Sequence, residues 1–136
     1  MSLSGGCLCG AVRYEASAEP VFAGHCHCAD CQKESGCGHT TVAAVPDASL
    51  KMTGATATFT KSGASGQTTE RTFCVKCGST LFSRPRAAAG LTILRAGTLD
   101  DASQIAPAMS IYTSRAQVWD PPNPNLPQFA QMPPRG

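Results

Sequence analysis

Charge is scarce in this 136-residue chain, and neither sign dominates. Asp, Glu, Lys and Arg make up 15% of it, against a usual share of about 25%, and eleven basic residues face nine acidic ones. A net charge of +2 does not predict nucleic-acid or anionic-membrane binding. Aromatic residues are also few, at 6% with a single Trp119. No run approaches the roughly 20 apolar residues of a membrane span. The opening Met1-Ser2-Leu3-Ser4-Gly5-Gly6-Cys7 has neither a basic n-region nor an apolar h-region. The expectation is therefore a cytoplasmic protein with no membrane or nucleic-acid partner. Its 42% apolar content marks it as globular. One domain is expected over 1–136, with a core at roughly 3–119 and an extended arm at 120–136, where six of the ten prolines fall.

Cysteine is what the chain has in excess. Eight are present, too few for a disulfide mini-scaffold and, in a reducing compartment, more suggestive of metal or redox chemistry. Cys74-Val75-Lys76-Cys77-Gly78 reads as a knuckle turn, its glycine permitting the backbone to aim N–H groups at thiolate sulfur. Such a turn supplies two ligands of a tetrahedral zinc. Cys7 and Cys9, flanked by Gly6 and Gly10, are the obvious second pair. The rival readings are a redox C-x-x-C pair, which lacks a βαβ setting here, and unpaired core cysteines.

Cys26-His27-Cys28-Ala29-Asp30-Cys31 places three more thiols within six residues, which suits one metal. Three protein ligands leave a fourth position open, the usual mark of catalytic zinc. A closed structural site is the alternative, with Cys37, His25, His27 or His39 as fourth ligand. Two zincs per chain are expected, the second being the more labile. Three thiolates make Zn²⁺ a poorer Lewis acid than three imidazoles would, so hydrolysis by zinc hydroxide is disfavoured. Such a site is better suited to holding a fourth thiol as thiolate for attack on an electrophile. No acid/base pair stands out, and His25, His27 and His39 read as surface or supporting residues.

Secondary structure reads as short strands. Ala11–Glu15, Thr40–Val45, Thr56–Thr60, Thr69–Phe73, Leu91–Ala96 and Met109–Thr113 are rich in β-branched residues or alternate apolar with polar. Only Ala29–Ser35 looks helical, and Asp100–Ser103 reads as a turn or a single helical turn. The fold class expected is all-β with very little helix. With a thin core, zinc would carry much of the stability, since a structural site is worth about 10–16 kcal/mol near neutral pH.

The ordered set of motifs resembles the glutathione-dependent formaldehyde-activating enzyme family, which includes centromere protein V. The segments that carry the resemblance are Gly6–Tyr14, Cys26–Lys33, Arg71–Ser79, Gly97–Asp101, Trp119 and Leu126–Phe129, spanning roughly residues 3–133. The resemblance implies an antiparallel β-tent. It implies a structural zinc at Cys7, Cys9, Cys74 and Cys77, and an active-site zinc at Cys26, Cys28 and Cys31. It also implies a carbon–sulfur lyase reaction, joining glutathione and formaldehyde as S-hydroxymethylglutathione. Two positions depart from the family: Ser110 stands where a His is common, and Cys37 where a small or apolar residue is usual. Glutathione enters only through the resemblance, and another small thiol would serve equally. A non-catalytic zinc-stabilised binding module and a thiol redox or stress protein using the Cys26–Cys37 region are the competing functions. Full thiol titration with and without oxidant separates the redox protein from the lyase. The sequence carries no sign of oligomeric state.

Overall fold

The computed structural model describes residues 2–63 and 66–133. Its strands are β1 (Leu3–Gly6), β2 (Arg13–Ala16), β3 (Phe22–Cys26), β4 (Thr40–Pro46), β5 (Leu50–Thr53), β6 (Thr56–Ser62), β7 (Thr68–Cys74), β8 (Thr80–Pro85), β9 (Leu91–Arg95) and β10 (Ser110–Ile111), with one α-helix, α1 (Ala29–Ser35), between β3 and β4. The fold is all-β. β1, β2 and β5 form a three-stranded antiparallel sheet, and the rest a seven-stranded sheet in the order β10-β3-β4-β9-β8-β7-β6. β10 lies parallel to β3, and the other pairings are antiparallel.

The core sits where inward side chains of the two sheets meet. In β2, Tyr14 and Ala16 turn inward while Arg13 and Glu15 face solvent, the alternation of a half-buried strand. Leu3 and Val12 join them against Val45, Leu81, Phe82 and Leu94, and Cys74 completes the same cluster. β4 is central in the large sheet, and Val42, Ala43, Ala44 and Val45 are all buried. A run covered on both faces needs no alternation, which is why this segment reads as a continuous apolar stretch. A second, smaller cluster gathers Cys26, Cys31 and Ile111 beneath Phe22, Met109, Tyr112 and Phe129.

Most expected strands form where the sequence places them, with altered ends. The run expected from Ala11 starts at Arg13, because Val12 closes a turn by accepting a hydrogen bond from the Cys7 amide at 3.1 Å. The run expected over Met109–Thr113 shrinks to Ser110–Ile111, because Tyr112 adopts left-handed backbone with φ 54° and ψ 38°. Thr113–Arg115 then forms a 3-10 turn. β1, β3, β5 and β8 were not legible from pattern. β1 and β3 are short and interrupted by Gly, His or Cys, and backbone pairing defines them.

After Trp119 the chain is irregular, but it is tied down. The amides of Ser110, Tyr112 and Thr113 donate to the carbonyls of Pro127, Gln131 and Phe129 at 2.9, 3.1 and 3.0 Å, and Gln128 makes a parallel bridge to Ser110. This segment thereby covers β10, the edge of the large sheet.

Candidate metal centres

Cys7, Cys9, Cys74 and Cys77 converge, their sulfur atoms all within 4.8 Å of one another. Cys7 and Cys9 come from the loop between β1 and β2, Cys74 from the end of β7 and Cys77 from the turn before β8. In that turn the Gly78 amide donates to the Cys74 carbonyl at 2.9 Å, and Gly10 mirrors it by donating to Cys7 at 3.1 Å. Both glycines have positive φ, 78° and 81°, which a side chain would resist. Amides aim at sulfur: Val12 N–H at Cys7 Sγ (3.2 Å) and Lys76 N–H at Cys74 Sγ (3.3 Å).

The sulfurs fit a tetrahedral ion. With zinc–sulfur bonds of about 2.3 Å, the edges of an ideal tetrahedron are about 3.8 Å. Cys7 and Cys9 are 3.5 Å apart, and Cys9 and Cys74 are 3.8 Å apart. Ionisation is already divided unevenly among these thiols. Ser79, through its hydroxyl and its backbone, pulls Cys77 down to about 5. The Ala11 amide favours the Cys9 thiolate, yet the surrounding thiols outweigh it and push Cys9 up to about 11.

Cys26, Cys28 and Cys31 form the second group, also within 4.8 Å. Cys26 ends β3 and Cys31 lies one turn into α1. Cys28 is the helix N-cap, its sulfur accepting from the Cys31 amide at 3.2 Å. Cys26 and Cys31 are buried, whereas Cys28 is partly open to solvent. Hydrogen bonds from Cys26, then from Cys31, drop Cys28 to about 3, and the same packing raises Cys26 far above the usual thiol range. One negative charge is accommodated and further ones are resisted, a conflict that a bound cation would relieve. A hydrogen bond from Cys26 favours the Cys31 thiolate, but Cys28 and burial outweigh it and push the Cys31 pKa up, and Thr40 Oγ1 is buried without a hydrogen-bond partner.

Cys37 lies elsewhere. It is exposed, its amide donates to Ser35 Oγ at 3.1 Å, and it is not among the thiols that converge. The histidines also stand apart from the sulfurs. Cys26 pairs with Thr40 and His25 with Thr41, so successive residues of β3 point to opposite faces. His25 Nδ1 bonds Thr41 Oγ1 at 2.8 Å, and the His25 and His27 rings lie 5.2 and 5.0 Å from that of His39. Burial first, then the neighbouring imidazoles, holds His25 and His27 below the usual value. Ser110, wholly buried with an unpartnered hydroxyl, pairs in register with His25.

Several residues of this site escape sequence reasoning. Glu34 of α1 is clamped by Arg95 of β9 (2.6 and 2.7 Å) and by Arg71 of β7 (2.8 Å). Burial opposes the Arg95 charge, but Glu34 more than compensates, and thiolate at Cys31 and Cys26 favours it further. Tyr112 packs on the second group, and burial followed by the thiolate charges raises its pKa. Gln32 binds the carbonyls of His27 and Arg115 at 2.8 and 2.9 Å. The one available signal was Arg95, a charge in an otherwise apolar strand.

A cleft of about 310 Å³ lies away from either sulfur group. Its lining from Pro20 to Ala23 and from Gln104 to Met109 carries no titratable side chain, and only Phe22 and Met109 are shared with the second group. Chemistry therefore points to the sulfurs and not to this cleft. Among the described residues, no helix is long and apolar enough to cross a membrane.

Short antiparallel strands that gather a four-thiol and a three-thiol group define a class of small β proteins with paired cysteine clusters. The chain belongs to the glutathione-dependent formaldehyde-activating enzyme family, whose model matches residues 2–115. Membership supports a formaldehyde-activating function. A crystal structure of a Rhodobacter sphaeroides protein, a structural-genomics target, is similar in fold at a TM-score of 0.58 and 21% identity, covering 76% of this chain and 91% of that one. No curated protein matches the chain.

Proposed function

We propose that the protein is a zinc-dependent carbon–sulfur lyase-like enzyme that adds a small thiol, glutathione or a similar one, to a small aldehyde. Cys7, Cys9, Cys74 and Cys77 would hold a structural zinc, and Cys26, Cys28 and Cys31 a second one at the reaction site. Zinc there would supply a position at which a thiol substrate is bound as thiolate. In the reaction the substrate sulfur forms a bond to the aldehyde carbon, the C=O π bond opens, and the thiol proton ends on the oxygen.

The observation that carries this reading is the open geometry of the second group. Three thiols converge, Cys28 is partly exposed, and Cys37 does not approach to close the set. The chain contributes the rest by position. Phe22, Met109, Tyr112 and Phe129 wall the sulfurs with apolar surface that limits water. Tyr112 retains its proton and borders the site as a hydrogen-bond donor for the developing alkoxide. Its left-handed backbone, the one non-glycine case among the described residues, is the kind of strain that clusters at functional sites.

The test is magnetisation exchange by NMR between free glutathione and its hydroxymethyl adduct in the presence of formaldehyde, using protein whose zinc has been counted. Faster exchange with wild-type protein, lost in Cys28→Ser and kept in Cys37→Ala, is the expected result. Unaccelerated exchange with two zincs bound would refute the reading and favour a binding module.

A further inference from the structure

We propose that His27, His39 and Asp120 form a third metal site, for a divalent first-row transition ion that prefers nitrogen and oxygen donors. It lies on the face of β3 opposite the thiols and is independent of the reaction proposed above.

Each of the three residues offers one donor atom, and these atoms lie within 4.8 Å of one another. They arrive from three parts of the chain: His27 just beyond β3, His39 just before β4, and Asp120 at the start of the C-terminal segment. His27 is 2% exposed, and its Nδ1 is buried with no hydrogen-bond partner. A buried, unpartnered nitrogen costs about 1–3 kcal/mol unless something occupies it. His39 Nδ1–H donates to Asp120 Oδ2 at 2.5 Å, so the carboxylate and one imidazole are already paired. The side chains of His39 and Asp120 remain 27% and 22% exposed, enough for an ion to enter and keep water ligands.

The backbone is shaped to admit the carboxylate. A Cβ at Gly38 would fall 2.2 Å from Asp120 Oδ2 and 2.7 Å from Asp120 Cγ. The residue between Cys37 and His39 thus leaves room for Asp120 to reach the imidazole. Two imidazoles and a carboxylate, with open positions, are a donor set for Fe²⁺, Co²⁺, Ni²⁺ or Zn²⁺, whereas thiolate groups select softer or more thiophilic ions. An ion here would also pin Asp120, and with it the segment that covers β10.

The test loads the full chain with two equivalents of zinc, which the thiolate groups take ahead of a nitrogen–oxygen donor set, and then titrates cobalt. Zinc outcompetes cobalt at thiolates, so they stay filled. The expected result is one cobalt per chain by equilibrium dialysis, with weak visible bands and no sulfur-to-cobalt charge-transfer absorption. Gly38→Ala and His39→Ala should each retain the wild-type zinc count, which reports an intact fold, while cobalt binding weakens by more than the roughly 10–100-fold that loss of an outer partner causes. Three results would overturn the proposal: no cobalt bound to wild type, cobalt bound equally by both variants, or charge-transfer absorption growing with the added cobalt. The zinc count reports on the thiol sites separately, so their failure and the failure of this site are told apart.

Discussion

Glu34→Ala removes the carboxylate that pairs with the buried Arg95 guanidinium and the half-buried one of Arg71. The Glu34, Arg95 and Arg71 side chains are 8%, 9% and 16% exposed. Three charge-assisted hydrogen bonds of 2.6 to 2.8 Å disappear, and Arg95 keeps only the Ile93 carbonyl at 3.0 Å. An orphaned buried charge costs about 3–5 kcal/mol. For a chain of this size that corresponds to a Tm lower by roughly 10–20 °C. Urea unfolding followed by circular dichroism measures it, at fixed free zinc because metal bound only to the folded state adds its own stability. Glu34→Gln, which keeps an acceptor but no charge, should fall between. In the double variant Glu34→Ala/Arg95→Met the charge that was stranded is gone, so much of the loss should return. A loss under about 1 kcal/mol in Glu34→Ala, or no recovery in the double variant, would show that the network is not what fixes α1 against β7 and β9.

Two further outcomes follow from the site and the core. Cys77→Ser should abolish the structural zinc and unfold the protein at 25 °C, since a structural zinc supplies more than a typical domain's net stability; a folded variant with an intact near-ultraviolet spectrum would refute the structural role. Tyr14, its pKa raised by burial, is held neutral and bonded to Thr98 Oγ1 at 2.7 Å. The unfolded chain loses this proton first, so the contribution is fully present below pH about 10 and fades as pH rises through the folded value. Tyr14→Phe should cost about 0.5–1 kcal/mol at neutral pH and flatten the loss of Tm above pH about 10. Equal alkaline slopes in the two proteins would show that Tyr14 is not responsible.

The sulfur groups were legible because their information is local. Cys26, Cys28 and Cys31 sit on one strand end and one helical turn, and Gly10 and Gly78 mark the turns beside the other pairs. The β-rich character was legible where side chains alternate, as in Arg13–Ala16, or where β-branched residues cluster, as in β4 and β9. What stayed hidden depends on distant pairing. Glu34 meets residues 37 and 61 positions away, and His39 meets Asp120 across 81. No periodicity encodes such contacts. β3, whose Phe-Ala-Gly-His-Cys has no regular apolar period, is defined by its neighbours β4 and β10.

A pleated backbone turns Cys26 and His27 to opposite sides, and the chain between them is one peptide thick. With both proposed sites filled, the fold would carry its own chemical sieve. With the proposed sites in place, thiophilic ions such as cadmium or mercury would be drawn to one side of this partition, and borderline ions such as nickel to the other. Inserting a single residue ahead of Cys26 would exchange the two sides unless a β-bulge absorbed it. What would separate soft from borderline coordination in this molecule is parity along one short strand.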